Sequence, residues 1–98
     1  MAQFDVHRLV TGGLVIDCQA DDLANIGTRF VIPLAKPSES APTTPRLHPH
    51  FSVGGETLVL MTEFAAAIRT SQLGDKIASL AEERFRILGA IDVLTGSG

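Results

Sequence analysis

Two pairs of consecutive glycines, Gly12-Gly13 and Gly54-Gly55, each lie between two short apolar segments of the chain. Glycine adopts positive φ without steric cost, so a glycine pair in this setting is typical of a tight turn. Strands that a tight turn joins run antiparallel and lie side by side in a sheet. The two pairs therefore predict two β-hairpins and a fold whose body is mainly β.

The segments on either side of the glycine pairs have the pattern that strands require. Residues 4–7 alternate apolar and polar side chains, and the apolar run 14–18 follows the first pair. Residues 50–53 alternate in the same way before the second pair. The run 58–61 after it is apolar enough for a buried central strand.

A third apolar run, at residues 30–32, stops at Pro33. Proline cannot donate a ladder hydrogen bond, so this strand is predicted to end there or to lie at a sheet edge. Residues 35–49 then hold four prolines with serine and threonine between them. This composition favours extended, weakly packed backbone, and we expect a mobile loop.

The C-terminal part of the chain has a helical pattern. Segment 63–69 favours a helix by propensity but is short, so helix and extended chain both remain open for it. The sequence Ser79-Leu80-Ala81-Glu82 fits a capping box, and aliphatic side chains then recur at helical spacing up to Leu94, interrupted by Arg84. An amphipathic C-terminal helix is predicted, and the glycine-containing sequence 95–98 ends it.

Composition limits the chain to a single domain, residues 1–98, and to a narrow set of partners. One hydrophobic core fits in 98 residues, and dimerisation would be a natural source of extra stability. A hydrophobic content of 45% against 19% charged residues opposes disorder. The net charge is -3 and the lysines and arginines are scattered, so neither direct nucleic-acid binding nor a membrane partner is expected.

The single cysteine and the N-terminus indicate a cytoplasmic protein. Cys18 cannot form an intrachain disulfide, and its place in an apolar run predicts a buried strand residue. Residues 1–5 lack the charged-then-apolar layout of a signal peptide. No stretch approaches the roughly 18 apolar residues of a membrane-spanning helix.

No set of residues in the sequence can run a reaction, and we expect neither enzyme activity nor a cofactor. His48 and His50 flank Pro49, and such a pair on a strand would point both rings to one face, which leaves a metal site as an alternative. No further histidine or cysteine cluster completes that site, so no metal is predicted. Asp21 and Asp22 are adjacent, which indicates a solvated turn rather than an acid–base pair. The chain is therefore predicted to act by binding another protein.

Particular residues, in a particular order, suggest a family. The most specific block is Val-Ile-Pro-Leu at 31–34, after Gly27 and Arg29 and before Leu47-His48-Pro49. The full set runs almost end to end: Gln3-Phe4-Asp5-Val6, Asp17-Cys18-Gln19-Ala20-Asp21, Gly27-Thr28-Arg29-Phe30-Val31-Ile32-Pro33-Leu34, Leu47-His48-Pro49-His50-Phe51 and Val53-Gly54-Gly55-Glu56. In this order the segments resemble the CcdB toxins of bacterial toxin-antitoxin modules.

The resemblance implies a fold, a target and a partner. The fold is an SH3-like barrel with a five-stranded antiparallel sheet, a smaller second sheet and a C-terminal helix, paired into a homodimer. The target is DNA gyrase, a type II topoisomerase, which is bound at the GyrA dimerisation region and trapped with its DNA cleaved; topoisomerase IV is the related alternative. The partner is a cognate antitoxin whose partly disordered C-terminal segment wraps the toxin and removes it.

The resemblance also implies contact residues. For the topoisomerase these are Leu23, which matches an isoleucine of an acidic loop, Asp92, which stands where the family has a helix asparagine, and the tail residues Thr95 and Gly96. For the antitoxin, the implied platform is the sheet face near Arg29 and the first hairpin, where an exposed arginine and a strand edge could pair with an acidic or amphipathic peptide.

The C-terminal tail departs from the family pattern. The family's helix ends in Trp-Gly-Ile, which supplies critical gyrase contacts, whereas this chain contains no tryptophan. With one residue deleted, residues 95–97 replace that tail; without a gap, residues 96–98 do. The alternative function is therefore a CcdB-like protein that binds an antitoxin but has lost gyrase poisoning.

Overall fold

A curled antiparallel sheet and a C-terminal helix form the protein in a computed structural model, which describes residues 2–39 and 44–96. The predicted fold class, mainly β with one C-terminal helix, is confirmed. Within the described residues the sheet has seven strands, followed by one α-helix: β1 Asp5–Leu9, β2 Leu14–Asp17, β3 Thr28–Ala35, β4 His50–Val53, β5 Glu56–Leu60, β6 Ala66–Arg69, β7 Leu73–Ser79 and α1 Arg84–Thr95.

Both predicted hairpins are present. β1 pairs with β2 and β4 pairs with β5, each antiparallel and each across a glycine pair. The φ angles are 95° and 84° at Gly12 and Gly13, and 59° and 82° at Gly54 and Gly55. Residues with a side chain rarely adopt such angles, so the glycines set the position of both turns.

The sheet branches at β3. The strand order is β4-β5-β3-β2-β1-β7, and β6 also pairs with β3. β6 pairs along residues 28–31, at the first half of β3, whereas β5 pairs at Leu34 and Ala35, near its end. The smaller second sheet that the resemblance implies is therefore continuous with the main sheet through β3.

β3 continues through Pro33, which corrects the predicted strand end. Pro33 lies opposite Val15 of β2, and its carbonyl accepts a hydrogen bond from the backbone N–H of Met61 at 2.9 Å. The nitrogen and carbonyl of one strand residue face the same neighbour. On that side Pro33 lies between the stretches of β3 that pair with β6 and with β5, so its missing N–H interrupts no ladder bond.

The chain after β5 contains two strands, one left open by the sequence and one not predicted. A 3₁₀ turn at Thr62–Phe64 precedes β6, so the extended alternative is the correct one for most of segment 63–69. β7 pairs with β1, with register shifts on both sides of His7. Residues 75–77 of β7 are all exposed, which removes the alternation by which a strand is recognised.

The predicted C-terminal helix is present but starts later than the capping box. Ser79 ends β7, and its Oγ accepts a hydrogen bond from the N–H of Ala81 at 3.2 Å. A 3₁₀ turn at Ala81–Glu83 then leads into α1. Ile87 and Ala90 of α1 are buried, whereas Leu94, the last residue of the predicted stripe, is 44% exposed.

The hydrophobic core lies between one face of the sheet and α1. Cys18 belongs to it and is 5% exposed, which confirms its predicted burial. The core side chains are Phe4, Val6, Ile16, Cys18, Ile32, Leu34, Phe51, Val53, Leu58, Leu60, Leu80, Ile87 and Ala90. None of the helices within residues 2–39 and 44–96 has the length and apolar character that crossing a membrane requires.

The predicted proline-rich loop is structured at both of its described ends. A 3₁₀ turn at Pro37–Glu39 follows β3, and residues 44–49 form a turn in which His48 and Pro49 are buried. Pro42 lies outside the described residues.

Candidate protein-interaction site

The residues predicted to contact a topoisomerase lie near opposite ends of α1. Leu23 closes a 3₁₀ turn at Asp21–Leu23, and its side chain is 48% exposed. Asp92, Thr95 and Gly96 are exposed at the C-terminal end of α1. All four predicted residues are therefore on the surface, in two separate groups.

Hydrogen bonds hold the Leu23 turn close to the start of α1. The backbone N–H of Gln3 donates to Asp21 Oδ1 at 2.8 Å, and the side-chain oxygen of Gln3 accepts from Arg84 Nη1 at 3.0 Å. Asp21 and Asp22 are both exposed, as predicted for a solvated turn. The turn therefore presents an apolar side chain on a short, anchored loop.

The C-terminal end of α1 is closed by Gly96, which has a φ of 85° and donates its N–H to the carbonyl of Val93 at 3.2 Å. This is a left-handed C-cap, which glycine adopts at no steric cost. Thr95 Oγ1 donates to the carbonyl of Asp92 at 3.2 Å. Leu94, 44% exposed, is the large apolar side chain that this end presents. Ser97, which replaces the family's isoleucine if one residue is deleted, lies outside the described residues.

The two groups of surface residues are too far apart to touch each other within the chain. Thr95 comes eleven positions after Arg84, which lies beside the Leu23 turn, and a helical rise of 1.5 Å per residue places the two about 16 Å apart along α1. A partner that touches both groups of one chain must therefore span the length of α1.

Arg29 is buried, which corrects the prediction that it offers an exposed arginine to an antitoxin. Its side chain and that of Asp17 both have 0% relative exposure. Arg29 Nε donates to Asp17 Oδ2 at 3.0 Å and Nη2 donates to the same oxygen at 2.6 Å. A charge held in this way inside the sheet cannot pair with a peptide on the surface.

The two histidines considered as a metal pair are used in separate contacts. His48 is buried; its Nδ1 accepts from the N–H of Thr44 at 3.1 Å, so its Nε2 carries the proton and donates to Glu63 Oε1 at 2.7 Å. His50 is exposed, and its Nδ1 lies 3.2 Å from the carbonyl of His48. Within the two described ranges, no three histidine, cysteine or acidic side chains are grouped for a metal ion.

A groove that the sequence did not reveal lies between the turn 44–49 and α1. It encloses about 250 Å³ and is lined by Pro45, Arg46, Pro49, Arg86 and Gly89. Two of these residues are cationic and two are rigid prolines. Arg86 directly precedes the buried Ile87, and Gly89 directly precedes the buried Ala90. One residue is slightly less than one-third of a helical turn, so the groove lies beside the buried face of α1.

The model of one protein family, described as CcdB protein, matches residues 3–96. The chain belongs to the CcdB family. The match includes both hairpins and α1 and therefore all the predicted contact residues. The chain itself contains no tryptophan, and Leu94 is exposed at the C-terminal end of α1.

Solved structures share the fold of this CcdB-family chain at low sequence identity. "Endoribonuclease in complex with its cognate antitoxin from Mycobacterial species" has a TM-score of 0.78 at 12% identity, and the alignment covers 100% of this chain and 97% of that chain. "Mycobacterium tuberculosis toxin MazF-mt6" has a TM-score of 0.77 at 13% identity and 96% coverage of both chains. MazE-MazF from Deinococcus radiodurans has a TM-score of 0.69 at 14% identity, with 100% and 98% covered.

The surface residues of this CcdB-family chain were easier to predict from the sequence than its buried charges. Leu23, Asp92, Thr95 and Gly96 are accessible, as a contact requires. The burial of Arg29 depends on Asp17, twelve positions away, which no local pattern indicates. The groove joins residues about forty positions apart, so only the folded chain brings its arginines together.

Proposed function

We propose that this protein is the toxin of a type II toxin-antitoxin module and that it poisons a type II topoisomerase, DNA gyrase or topoisomerase IV. The observation that carries the proposal is membership of the CcdB family over residues 3–96. In this proposal a homodimer binds the GyrA dimerisation region of gyrase through Leu23, Asp92, Thr95 and Gly96. The exposure of all four residues supports that role.

A homodimer would resolve the separation of the two contact groups. About 16 Å of helix divides them in one protomer. Pairing two copies about a two-fold axis duplicates each group, so that a symmetric target can be met by equivalent residues from both protomers. The target proposed here is itself a dimerisation region.

The proposed action is binding rather than catalysis. His7 and His48, two of the chain's three histidines, are 4% and 6% exposed and are held in internal hydrogen bonds. General acid–base catalysis needs such groups within reach of the substrate. Because the similar structures include endoribonucleases, RNA cleavage is measured beside DNA cleavage in the test below.

A cognate antitoxin is the second proposed partner. The support is the fold, since a chain with a TM-score of 0.78 to this one is titled as a complex with its cognate antitoxin. The buried position of Arg29 moves the proposed antitoxin contact away from that residue.

The missing tryptophan favours a second candidate function, a CcdB-family protein that binds an antitoxin without poisoning gyrase. A buried aromatic anchor contributes at least about 2 kcal/mol to an interface. Its absence therefore lowers affinity by a factor of about thirty or more. Leu94 is the apolar side chain left at this end of α1.

The deciding experiment is a DNA cleavage assay with purified protein, supercoiled plasmid, ATP, and gyrase or topoisomerase IV in separate reactions. The proposal predicts linear DNA above the no-toxin control after detergent and protease treatment. Leu23→Asp should abolish that product, whereas Val10→Asp, at a 61% exposed position on the first hairpin, should not. No linear product from either enzyme at protein concentrations far above micromolar would leave the second candidate. Cleavage of a single-stranded RNA, incubated without topoisomerase, would contradict action by binding alone.

A further inference from the structure

We propose that the groove between the turn 44–49 and α1 binds an extended, acidic segment of the antitoxin. This proposal rests on the proposed toxin function and gives the antitoxin a binding site on the toxin. The groove is distinct from the residues placed at the topoisomerase contact, since its lining residues on α1 are Arg86 and Gly89.

The groove has the size and walls of a peptide subsite. Its volume of about 250 Å³ is below the range of most small-molecule pockets, and suits one or two side chains of a longer segment. Pro45 and Pro49 form one wall and present rigid apolar surface. Gly89 leaves the helix backbone uncovered on the opposite side, where an added Cβ would meet no atom within 4 Å.

The charge of the groove selects an acidic occupant. The chain as a whole has a net charge of -3, whereas the two charged residues that line the groove, Arg46 and Arg86, are both cationic. Arg46 has no ion-pair partner among the residues that the structure describes. A carboxylate that approached the groove would therefore gain a charge-assisted hydrogen bond at Arg46 without displacing one.

Arg86 is held in place before any ligand arrives. Its Nη2 donates to the carbonyl of His50 at 2.8 Å, and its guanidinium lies over the ring of Phe51, 4.6 Å from the centroid. Its Nη1 donates to Glu83 at 3.2 Å. A side chain that is already ordered loses little conformational entropy on binding, so Arg86 forms a fixed wall of the groove.

The turn on the other side of the groove is also ordered in advance. His48 bonds Thr44 twice, by donating its backbone N–H to the Thr44 carbonyl at 2.8 Å and by accepting the Thr44 N–H at 3.1 Å. Thr62 Oγ1 donates to the Leu47 carbonyl at 2.6 Å. These bonds fix the backbone that carries Pro45, Arg46 and Pro49.

A second copy of this chain is the poorer occupant. Symmetric pairing places the same patch of both protomers around one axis. Pairing through this groove would set two copies of the patch that carries Arg46 against each other, and the charge of Arg46, which has no ion-pair partner among the described residues, would then be repelled by its counterpart. An acidic segment of a different protein meets no such repulsion.

The test measures binding of a fluorescent octapeptide of alternating glutamate and leucine to the full chain. The control peptide has lysine in place of glutamate. We expect the glutamate peptide to bind about ten-fold or more tightly than the lysine peptide, and Gly89→Leu, which fills the groove, to weaken it about ten-fold. Arg46→Glu should weaken it to a similar degree. Phe85→Leu, which places the same side chain at a position 86% exposed and outside the groove, should leave the affinity unchanged.

Several results would overturn the proposal. They are equal affinity for the two peptides, unchanged affinity in Gly89→Leu with a native circular-dichroism spectrum, and conversion of a dimer to a monomer by Gly89→Leu in sedimentation, which would identify a second copy as the occupant. Should Gly89→Leu not fold, Arg46→Glu decides alone. The peptide-binding test contains no topoisomerase, so its outcome is independent of the DNA cleavage assay. Peptide binding would still support the groove if no DNA were cleaved, and DNA cleavage would not support the groove if the peptide did not bind.

Discussion

Arg29 donates two hydrogen bonds to Asp17, from Nε at 3.0 Å and from Nη2 at 2.6 Å, and neither side chain reaches solvent. Both bonds end on the same carboxylate oxygen. The pair joins the start of β3 to the end of β2, on the side of the sheet opposite the core that packs on α1. Breaking such a pair leaves one charge buried and uncompensated.

Asp17→Asn should therefore lower the free energy of unfolding by about 3–5 kcal/mol. Urea denaturation at pH 7 measures it. The control is Glu83→Gln, which removes the partner of Arg86 in a partly exposed pair and should cost less than about 1 kcal/mol. Replacing both charges at once, as in Asp17→Leu with Arg29→Met, should recover part of the loss. A loss below about 1 kcal/mol in the single variant would mean that Arg29 finds water in place of Asp17.

The Arg29–Asp17 pair is a feature that could not be predicted from the sequence. Gly12-Gly13 and Gly54-Gly55 predicted both hairpins because a glycine turn is a local property of the chain. The burial of Arg29 is not local, since it depends on a carboxylate that β2 places beside it. β7 was not predicted for a related reason. Its residues 75–77 are exposed and show no apolar–polar alternation, and the strand is defined by its backbone pairing with β1.

The candidate site divides in the same way. The exposure of Leu23 and of the end of α1 follows from a polar turn and a helix end, which sequence patterns identify. The groove forms only where the turn 44–49 packs beside α1, and no periodic pattern in the sequence predicts that packing. Pro33 is the opposite case, in which a local rule gave a wrong prediction. Proline donates no ladder hydrogen bond, so a strand end was predicted there, but Pro33 lies where the sheet branches and no such bond is needed.

Cys18 should be almost unreactive in the folded protein. Burial, together with the neighbouring charge of Asp17, raises the pKa of its thiol to about 12. At pH 8 the thiolate fraction is then about 10³-fold lower than that of an ordinary cysteine. Reaction with Ellman's reagent at pH 8 should be correspondingly slow in buffer and fast in denaturing urea. Rapid reaction without denaturant would show that the core around Cys18 opens readily.

The raised pKa of Cys18 also gives the stability an alkaline limit. Because the folded pKa of about 12 exceeds the ordinary thiol value of 9.0, the unfolded chain loses its thiol proton first as the pH rises. The contribution of Cys18 to stability is therefore complete below pH 9 and is lost between pH 9 and 12. Urea denaturation at pH 8 and pH 10.5 should show a larger fall for the native chain than for Cys18→Val. Equal falls would assign the alkaline limit to other groups.

Glu63 should contribute stability that disappears in acid. Burial opposes its ionised form, but hydrogen bonds from its own backbone N–H and from His48 outweigh burial and lower the pKa of Glu63. The contribution is present above the usual pKa and is lost as the pH falls through the lowered value, below about 4.5. The side chain is 40% exposed, so solvent screening keeps the effect small. Glu63→Gln should flatten the decline in stability between pH 5 and 3, and an unchanged decline would contradict this role.

Two glycines should respond to the same substitution with opposite sign. Gly89 lies within α1, and an added Cβ would meet no atom within 4 Å, so Gly89→Ala should stabilise the protein by up to about 1 kcal/mol through helix propensity. Gly74 lies in β7, where an added Cβ would be 2.7 Å from the backbone carbonyl oxygen of Arg8. Backbone cannot move aside as a side chain does, and the carbonyl of Gly74 is also 3.1 Å from His7 Nδ1, so Gly74→Ala should disturb both contacts.

Thermal unfolding of the two variants provides the comparison, since each adds one methyl group to the same chain. We expect the melting temperature to rise for Gly89→Ala and to fall by several degrees for Gly74→Ala. If Gly74→Ala were as stable as the native chain, β7 would have to shift along β1, and the register changes beside His7 would be the place where it does so. A lower melting temperature for Gly89→Ala would mean that the helix backbone at the groove is already covered, which would also count against a peptide binding there.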